Sequence, residues 1–341
     1  MFKVFRKPVL LTGTTVIAVL AVTGISSSVA ATHVSTPLSR TVLAGKTIAY
    51  IMPGAAEYYV DSAAGAKAAA KTLGGQAKVF DSGFDVSKEL ANIKSAILEK
   101  VDGIVLFPLS DASAKAELSL ANAASIPMSL LYGYSADNAP HGAGFVQVNF
   151  FNYAKALGQA FAKIVPTGKV AMVSGTLGRS EVTAFHDGFV AGFGSSSRVV
   201  EEVSGNYSRT VALKATQDLI TKYPDLAGLV VGNEDMAIGA VSGLGKKASH
   251  VKLATQNGSP EGNAFLRAGK FAVTVGASPS QEAALAVNLL AQTIGGHPVT
   301  NKLCQTPWAV NTSKIIKSIG WGSSNSIIST GLTSPALCSA N

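Results

Sequence analysis

His186 and Asp187 stand side by side, and a histidine next to a carboxylate is half of a relay that can activate a nucleophile. No G-x-S-x-G elbow supplies the other half, so the pair reads as a surface pair on a helix. The other histidines, His33, His141, His250 and His297, are scattered, and none takes HExxH or other metal-ligand spacing. There is no Walker A string and no G-x-G-x-x-G after the first strand-like run. In "SGTLGRSE", at 174–181, Gly175 and Gly178 could cradle an anion at a helix start with Arg179 beside it. A plain strand-to-helix turn is the simpler reading. Cys304 and Cys338 lack a neighbouring histidine and so cannot form a structural zinc site. The chemistry on offer is recognition: we expect no enzyme, no cofactor and no metal.

The residues best suited to recognition are aromatic. "MPGAAEYYVD", at 52–61, puts Tyr58 and Tyr59 between a strand-like run and an Ala-rich, helix-like one. A phenol ring packs against a sugar's C–H face or another ring, and its hydroxyl adds a polar handle. The pair is either core or platform. For adjacent residues at a helix start, one ring in and one out is expected.

These residues need elements to hold them. From Lys46 onward, short β-branched runs alternate with longer Ala/Leu-rich segments. Strands are expected at 47–51, 77–80, 104–107, 127–131 and 146–148, with helices over 62–73, 87–99 and 112–124 between them. Ser87 is a plausible N-cap, and Gly74-Gly75 a helix stop. The rhythm restarts with a helix over 153–164. Strands follow at 169–173, 199–203, 228–231, 251–255 and 272–275, alternating with further helices. A last helix over 281–294 leads into an extended stretch, 303–310. Runs apolar on both faces and separated by helices imply parallel sheets covered on both sides. The fold class is therefore α/β, with two doubly wound, Rossmann-like parallel-sheet domains. In such sheets ligands sit beyond the carboxyl ends of the strands, and two facing sheets would share one cleft.

The chain of 341 residues is 47% hydrophobic and 14% charged, the balance of a packed globular protein. Residues 1–30 stand apart. Lys3, Arg6 and Lys7 precede an apolar run, and Ser28-Val29-Ala30 ends it with small residues. This reads as a secretory signal cleaved near Ala30, with an uncleaved anchor as the alternative. Without those three cations the balance falls from 28 basic against 20 acidic residues to 25 against 20, with Lys246-Lys247 the only adjacent basic pair left. No basic stripe suggests a nucleic-acid partner. In an exported protein, Cys304 and Cys338 read as one disulfide pinning the tail, with two free thiols as the alternative.

Several strings, in this order and spacing, resemble the periplasmic sugar-binding proteins of the ribose-binding type, the soluble receptors of ABC importers. They are Tyr58-Tyr59 after the first strand, Lys88-Glu89-Leu90-Ala91-Asn92, Ile126-Pro127, "GNEDMAIGA" at 232–240 and "NGSPEG" at 257–262. The resemblance runs from about 46 to 310. It implies a type I periplasmic binding protein fold with a three-segment hinge. A leader at 31–45 would precede one lobe from 46–148 plus 278–303 and a second from 149–277 plus 304–341. It also implies a monomer in the periplasm, a membrane permease as partner, and closure of the lobes on a small ligand. A sensory receptor presenting its ligand to a chemoreceptor or kinase is the alternative. Repressors of the lac type share the fold but carry a DNA-binding helix-turn-helix where this chain has its signal.

Carried over residue by residue, the resemblance makes Tyr58 and Tyr59 stacking residues, Tyr207 an aromatic on the opposite wall, and Asn233 a hydroxyl-binding amide. It also shows departures. The ribose-binding branch has an Asp-Arg sugar clamp where this chain has Tyr132-Gly133. It has a second arginine at the position of Thr183, an Asp at Asn257 and a Gln at Ala277. Hydrogen bonds to charged groups are the stronger ones, roughly 1.5–3 kcal/mol against about 1. Their loss points to a neutral ligand less hydroxylated than a pyranose, such as a modified or deoxy sugar, a short polyol or an aromatic compound. Arg179, Glu181, Glu57 and Glu234 are near enough in sequence to replace the charges.

Overall fold

The computed structural model describes residues 39–132, 144–146, 148–297, 303–304, 308–316 and 321. The signal-like segment, Gly133, and Cys338 of the expected disulfide lie outside them.

Among the described residues, the body contains two six-stranded sheets. The first is built from β1 (Thr47–Met52), β2 (Gln76–Asp81), β3 (Gly103–Leu106), β4 (Met128–Leu131), β5 (Gly144–Val146) and β11 (Leu303–Cys304). Its order is β11-β5-β4-β3-β1-β2, and all its pairs are parallel. The second holds β6 (Lys169–Ser174), β7 (Val199–Ser204), β8 (Leu226–Val231), β9 (Lys252–Asn257), β10 (Val273–Ala277) and β12 (Trp308–Asn311). Its order is β12-β10-β9-β8-β6-β7, parallel except where β12 runs antiparallel to β10. The interior strands β3, β4 and β10 are buried along their whole length, as their largely apolar runs require, with Ser129 and Thr274 the polar residues among them.

The chain passes between the sheets three times. It crosses from β5 to α4 (Phe150–Ile164), which packs beside β10, and from β10 to α9 (Pro279–Ile294), which packs on β3, β4 and β5. It crosses last from β11 to β12. The remaining helices are α1 (Glu57–Thr72), α2 (Val86–Leu98), α3 (Asp111–Ala123), α5 (Ser180–Phe193), α6 (Arg209–Lys222), α7 (Glu234–Leu244) and α8 (Pro260–Arg267).

Local boundaries differ from the sequence expectation in informative ways. Helix α1 starts at Glu57, with Ala56 extended as its N-cap, so both tyrosines sit in its first turn. Its small residues allow close packing on α9, and a Cβ at Gly65 would overlap the Ser280 backbone. The cap of α2 is Asp85, whose carboxylate accepts from Ser87 N and Lys88 N; Ser87 lies inside the helix. Gly74 takes φ +85° after α1, as a helix stop needs. The end of the expected leader is packed, because Leu43 is buried and its N–H donates to Leu73 O at 2.9 Å.

Candidate ligand-binding cleft

In both sheets the five consecutive strands take the doubly wound order 2-1-3-4-5. The direction in which successive strands are added reverses between β1 and β3, and again between β6 and β8. Loops leaving the carboxyl ends of such strands form a crevice for ligands. Here Pro53–Tyr59 after β1 and Phe107–Leu109 after β3 meet Ser174–Arg179 after β6 and Gly232–Asn233 after β8 around one cavity of about 780 Å³.

Among the described residues, ten aromatic rings line it. Tyr58 and Tyr59 are both half-buried, rather than one in and one out, and meet edge to face at 5.8 Å. Tyr59 rests against Phe107 at 5.0 Å and Phe84 at 5.9 Å. Tyr58 donates its hydroxyl to Glu282 Oε2 at 2.6 Å, and the Tyr132 hydroxyl lies 3.2 Å away. Burial pushes the Tyr59 phenol up to about 12, and burial followed by the Glu282 charge pushes Tyr58 and Tyr132 well up, so all three stay neutral donors. Tyr132 is 4% exposed, packed between Phe107 and Phe150, and offers the cavity only a small part of its ring.

On the facing wall, Gly175 has a steric task, because a Cβ there would overlap the Tyr207 ring. Gly178 takes φ +92°, which serves the turn. Arg179 binds within the protein: Nε pairs with Glu181 Oε1, and Nη1 reaches across the cleft to the Leu109 carbonyl. The Tyr207 hydroxyl donates to the same Glu181 oxygen at 3.3 Å. Arg209 pairs with Asp235 at 2.7 Å and approaches Glu261 at 3.4 Å. Glu234 is buried and holds the 257–259 loop by accepting from Gly258 N and Ser259 N. Desolvation outweighs those bonds and lifts its carboxyl to about 7. The charges near the cleft are thus mostly spent on one another.

Asn233 caps α7, its Oδ1 accepting from Met236 N at 2.8 Å, which leaves its amide Nδ2 as a donor at the cavity wall. Asn257 uses Oδ1 on Glu234 N at 3.3 Å and takes φ +139°. Thr183 does not line the cavity. It is exposed on α5, and its hydroxyl donates to Arg179 O. In a helix, position 183 lies about 200° around from Glu181, so Glu181, Val182 and Phe185 face the cleft instead. Ser174, another lining residue, donates to Glu202 Oε1, and His186 Nδ1 lies 2.9 Å from Glu202 Oε2. The carboxylate stands between hydroxyl and imidazole, an order that does not activate the serine.

Two further features were not legible in the sequence. Trp321, from the tail, lines the cleft and donates its indole N–H to Asn257 O and Ala277 O. Among the described residues, seven non-glycine positions have positive φ, and five of them (Phe84, Tyr132, Asn206, Tyr207 and Asn257) line this cavity. Such backbone costs of order 1–3 kcal/mol each and gathers where function over-determines the structure.

Two doubly wound lobes with three crossings and a shared strand-end cleft define a type I periplasmic binding protein fold. The chain belongs to that family: the profile described as "Periplasmic binding protein domain" matches residues 48–298. It is similar to the ribose import binding protein of Salmonella typhimurium, 26% identical over 301 residues that cover 86% of this chain and 98% of the relative. Among solved structures, an Actinobacillus succinogenes ABC transporter solute-binding protein with bound D-allose superposes with TM-score 0.72 at 23% identity, covering 79% of this chain and 98% of that one. A glucose-galactose binding protein of Geobacillus stearothermophilus gives 0.73 at 20% identity, covering 80% and 99%. At these identities the structural matches establish the fold.

Proposed function

We propose that the protein is an extracytoplasmic solute-binding protein of an ABC importer, which captures a small neutral ligand between its lobes by hinge closure. The ligand class is a sugar, modified sugar or polyol. The observation that carries this reading is the cleft: an aromatic cavity of about 780 Å³ with the neutral Tyr59 phenol and the Asn233 amide at its wall, whose arginines are already engaged by protein groups. Cavities of roughly 300–1,000 Å³ suit small molecules. The sugar-binding names of its relatives support the same reading.

In this proposal Tyr58, Tyr59 and Tyr207 stack on the ligand, Asn233 and Asn257 meet its hydroxyls, and Tyr132 and Arg179 shape the wall. The lobes are 46–148 plus 278–303, and 149–277 plus the tail. The protein is exported after cleavage near Ala30, works as a periplasmic monomer, delivers to a membrane permease, and pins its tail by Cys304–Cys338. The ten lining rings also favour a second ligand class, a small aromatic compound in the same cleft.

The test is thermal unfolding of the mature chain with D-ribose, D-allose, D-galactose, myo-inositol and benzoate. One class should raise Tm by mass action, and Asn233→Ala should abolish the rise while the chain stays folded. No rise with any solute would refute the reading, and a full rise in Asn233→Ala would refute the site assignment.

A further inference from the structure

Trp321 lies 23 residues beyond the end of the family match, yet its ring is half-buried in the cleft. Its indole N–H is shared between two backbone carbonyls, Asn257 O at 3.1 Å and Ala277 O at 3.0 Å. These mark the ends of β9 and β10, on the second-sheet wall. The same ring meets Tyr58, on the first-sheet wall, edge to face at 5.6 Å and 75°. Tyr58 is itself fixed by its bond to Glu282. One tail residue therefore touches both walls at the floor of the site.

We infer that Trp321 is a specificity-determining residue of this cleft, a wall supplied by the tail that favours ligands presenting an apolar C–H or ring face. The inference rests on the proposed ligand-binding role. The indole has a single donor, and backbone carbonyls take it. What it can offer a ligand is its flat apolar surface, the kind of contact by which tryptophan commonly anchors recognition. Trp321 is a wall rather than a tethered occupant, because the 780 Å³ is the space left with the indole in place. Its N–H is engaged by the lobe behind it.

The test uses the full mature chain, titrated calorimetrically with D-ribose, D-allose and myo-inositol. Trp321→Ala should weaken the sugar that binds wild type by about tenfold, and Trp321→Phe by less, with the ligand-free Tm nearly unchanged. In a Trp308→Phe background Trp321 is the remaining tryptophan, and its emission should change saturably with that sugar. Unchanged affinity in Trp321→Ala overturns the inference. Tighter binding overturns it too, since it would make the indole an occupant that ligand must displace. If neither these solutes nor D-galactose or benzoate binds wild type, the ligand-binding reading has failed. Acrylamide quenching of the Trp308→Phe protein then judges the placement separately: quenching as strong as in urea overturns it.

Discussion

Glu117 and Glu89 form a buried carboxylate pair beneath the loop that meets Arg179 across the cleft. Glu89 accepts from Leu109 N and Ser113 Oγ, each at 2.9 Å. Glu117 is 1% exposed and has no hydrogen-bond partner among the described residues beyond the Glu89 carboxyl it faces. Desolvation first, and the Glu89 charge second, push Glu117 up to about 8 from an ordinary 4.5. The folded protein therefore holds a proton that the unfolded chain releases. The contribution of this pair to stability should be fully present below pH 4.5, fall as pH rises toward 8, and then level off. At about 1.36 kcal/mol per pH unit, that window sets a ceiling near 5 kcal/mol, and water entry should reduce it to about 2–3. Glu117→Gln keeps the shape and a donor for Glu89 but cannot ionise. The variant should match wild type near pH 4.5 and exceed it by about 2–3 kcal/mol at pH 9, or about 5 °C or more in Tm. Circular dichroism melts at pH 4.5, 7 and 9 test this. Parallel Tm profiles for the two proteins would refute the shared-proton account.

Two other perturbations follow from the packing. Arg179→Met removes the partner of Glu181, which is 11% exposed, and the bond to Leu109 O. It should cost about 3–5 kcal/mol in urea unfolding and weaken ligand binding, and a neutral effect on both would show the contact to be idle. Gly65→Ala forces α1 from α9 and should cost about 1–3 kcal/mol, read from the urea midpoint; an unchanged midpoint would mean the helix pair yields without penalty.

Element order was legible because buried strands and amphipathic helices repeat with different periods, and the two tandem units follow directly from that rhythm. Boundaries at the site were less so. Pro53-Gly54 and the bulky tyrosines read as a turn, yet α1 begins at Glu57 because extended Ala56 already serves as its cap. Tyr58, Tyr59, Tyr207, Asn233 and Asn257 are brought together because each leaves the end of a strand or opens the next helix. Thr183 was misplaced by helical phase, two residues from Glu181 and so on the opposite side of α5. The engagement of Arg179 by Leu109 O and of Arg209 by Asp235 depends on contacts between distant segments, which spacing does not encode. Trp321 had no periodic neighbour to announce it, since its position is set by backbone carbonyls at 257 and 277.

The three crossings also dictate a schedule for the nascent chain. The first sheet lacks α9 and β11 until residue 304 has been made, and the second lacks its β12 edge until residue 311. Neither lobe can finish on the ribosome while the other is still being synthesised. Such late, long-range closure makes folding slow, because distant segments must meet before their contacts repay the entropy. If residues 1–30 act as the export signal they resemble, that delay would keep the polypeptide threadable during translocation.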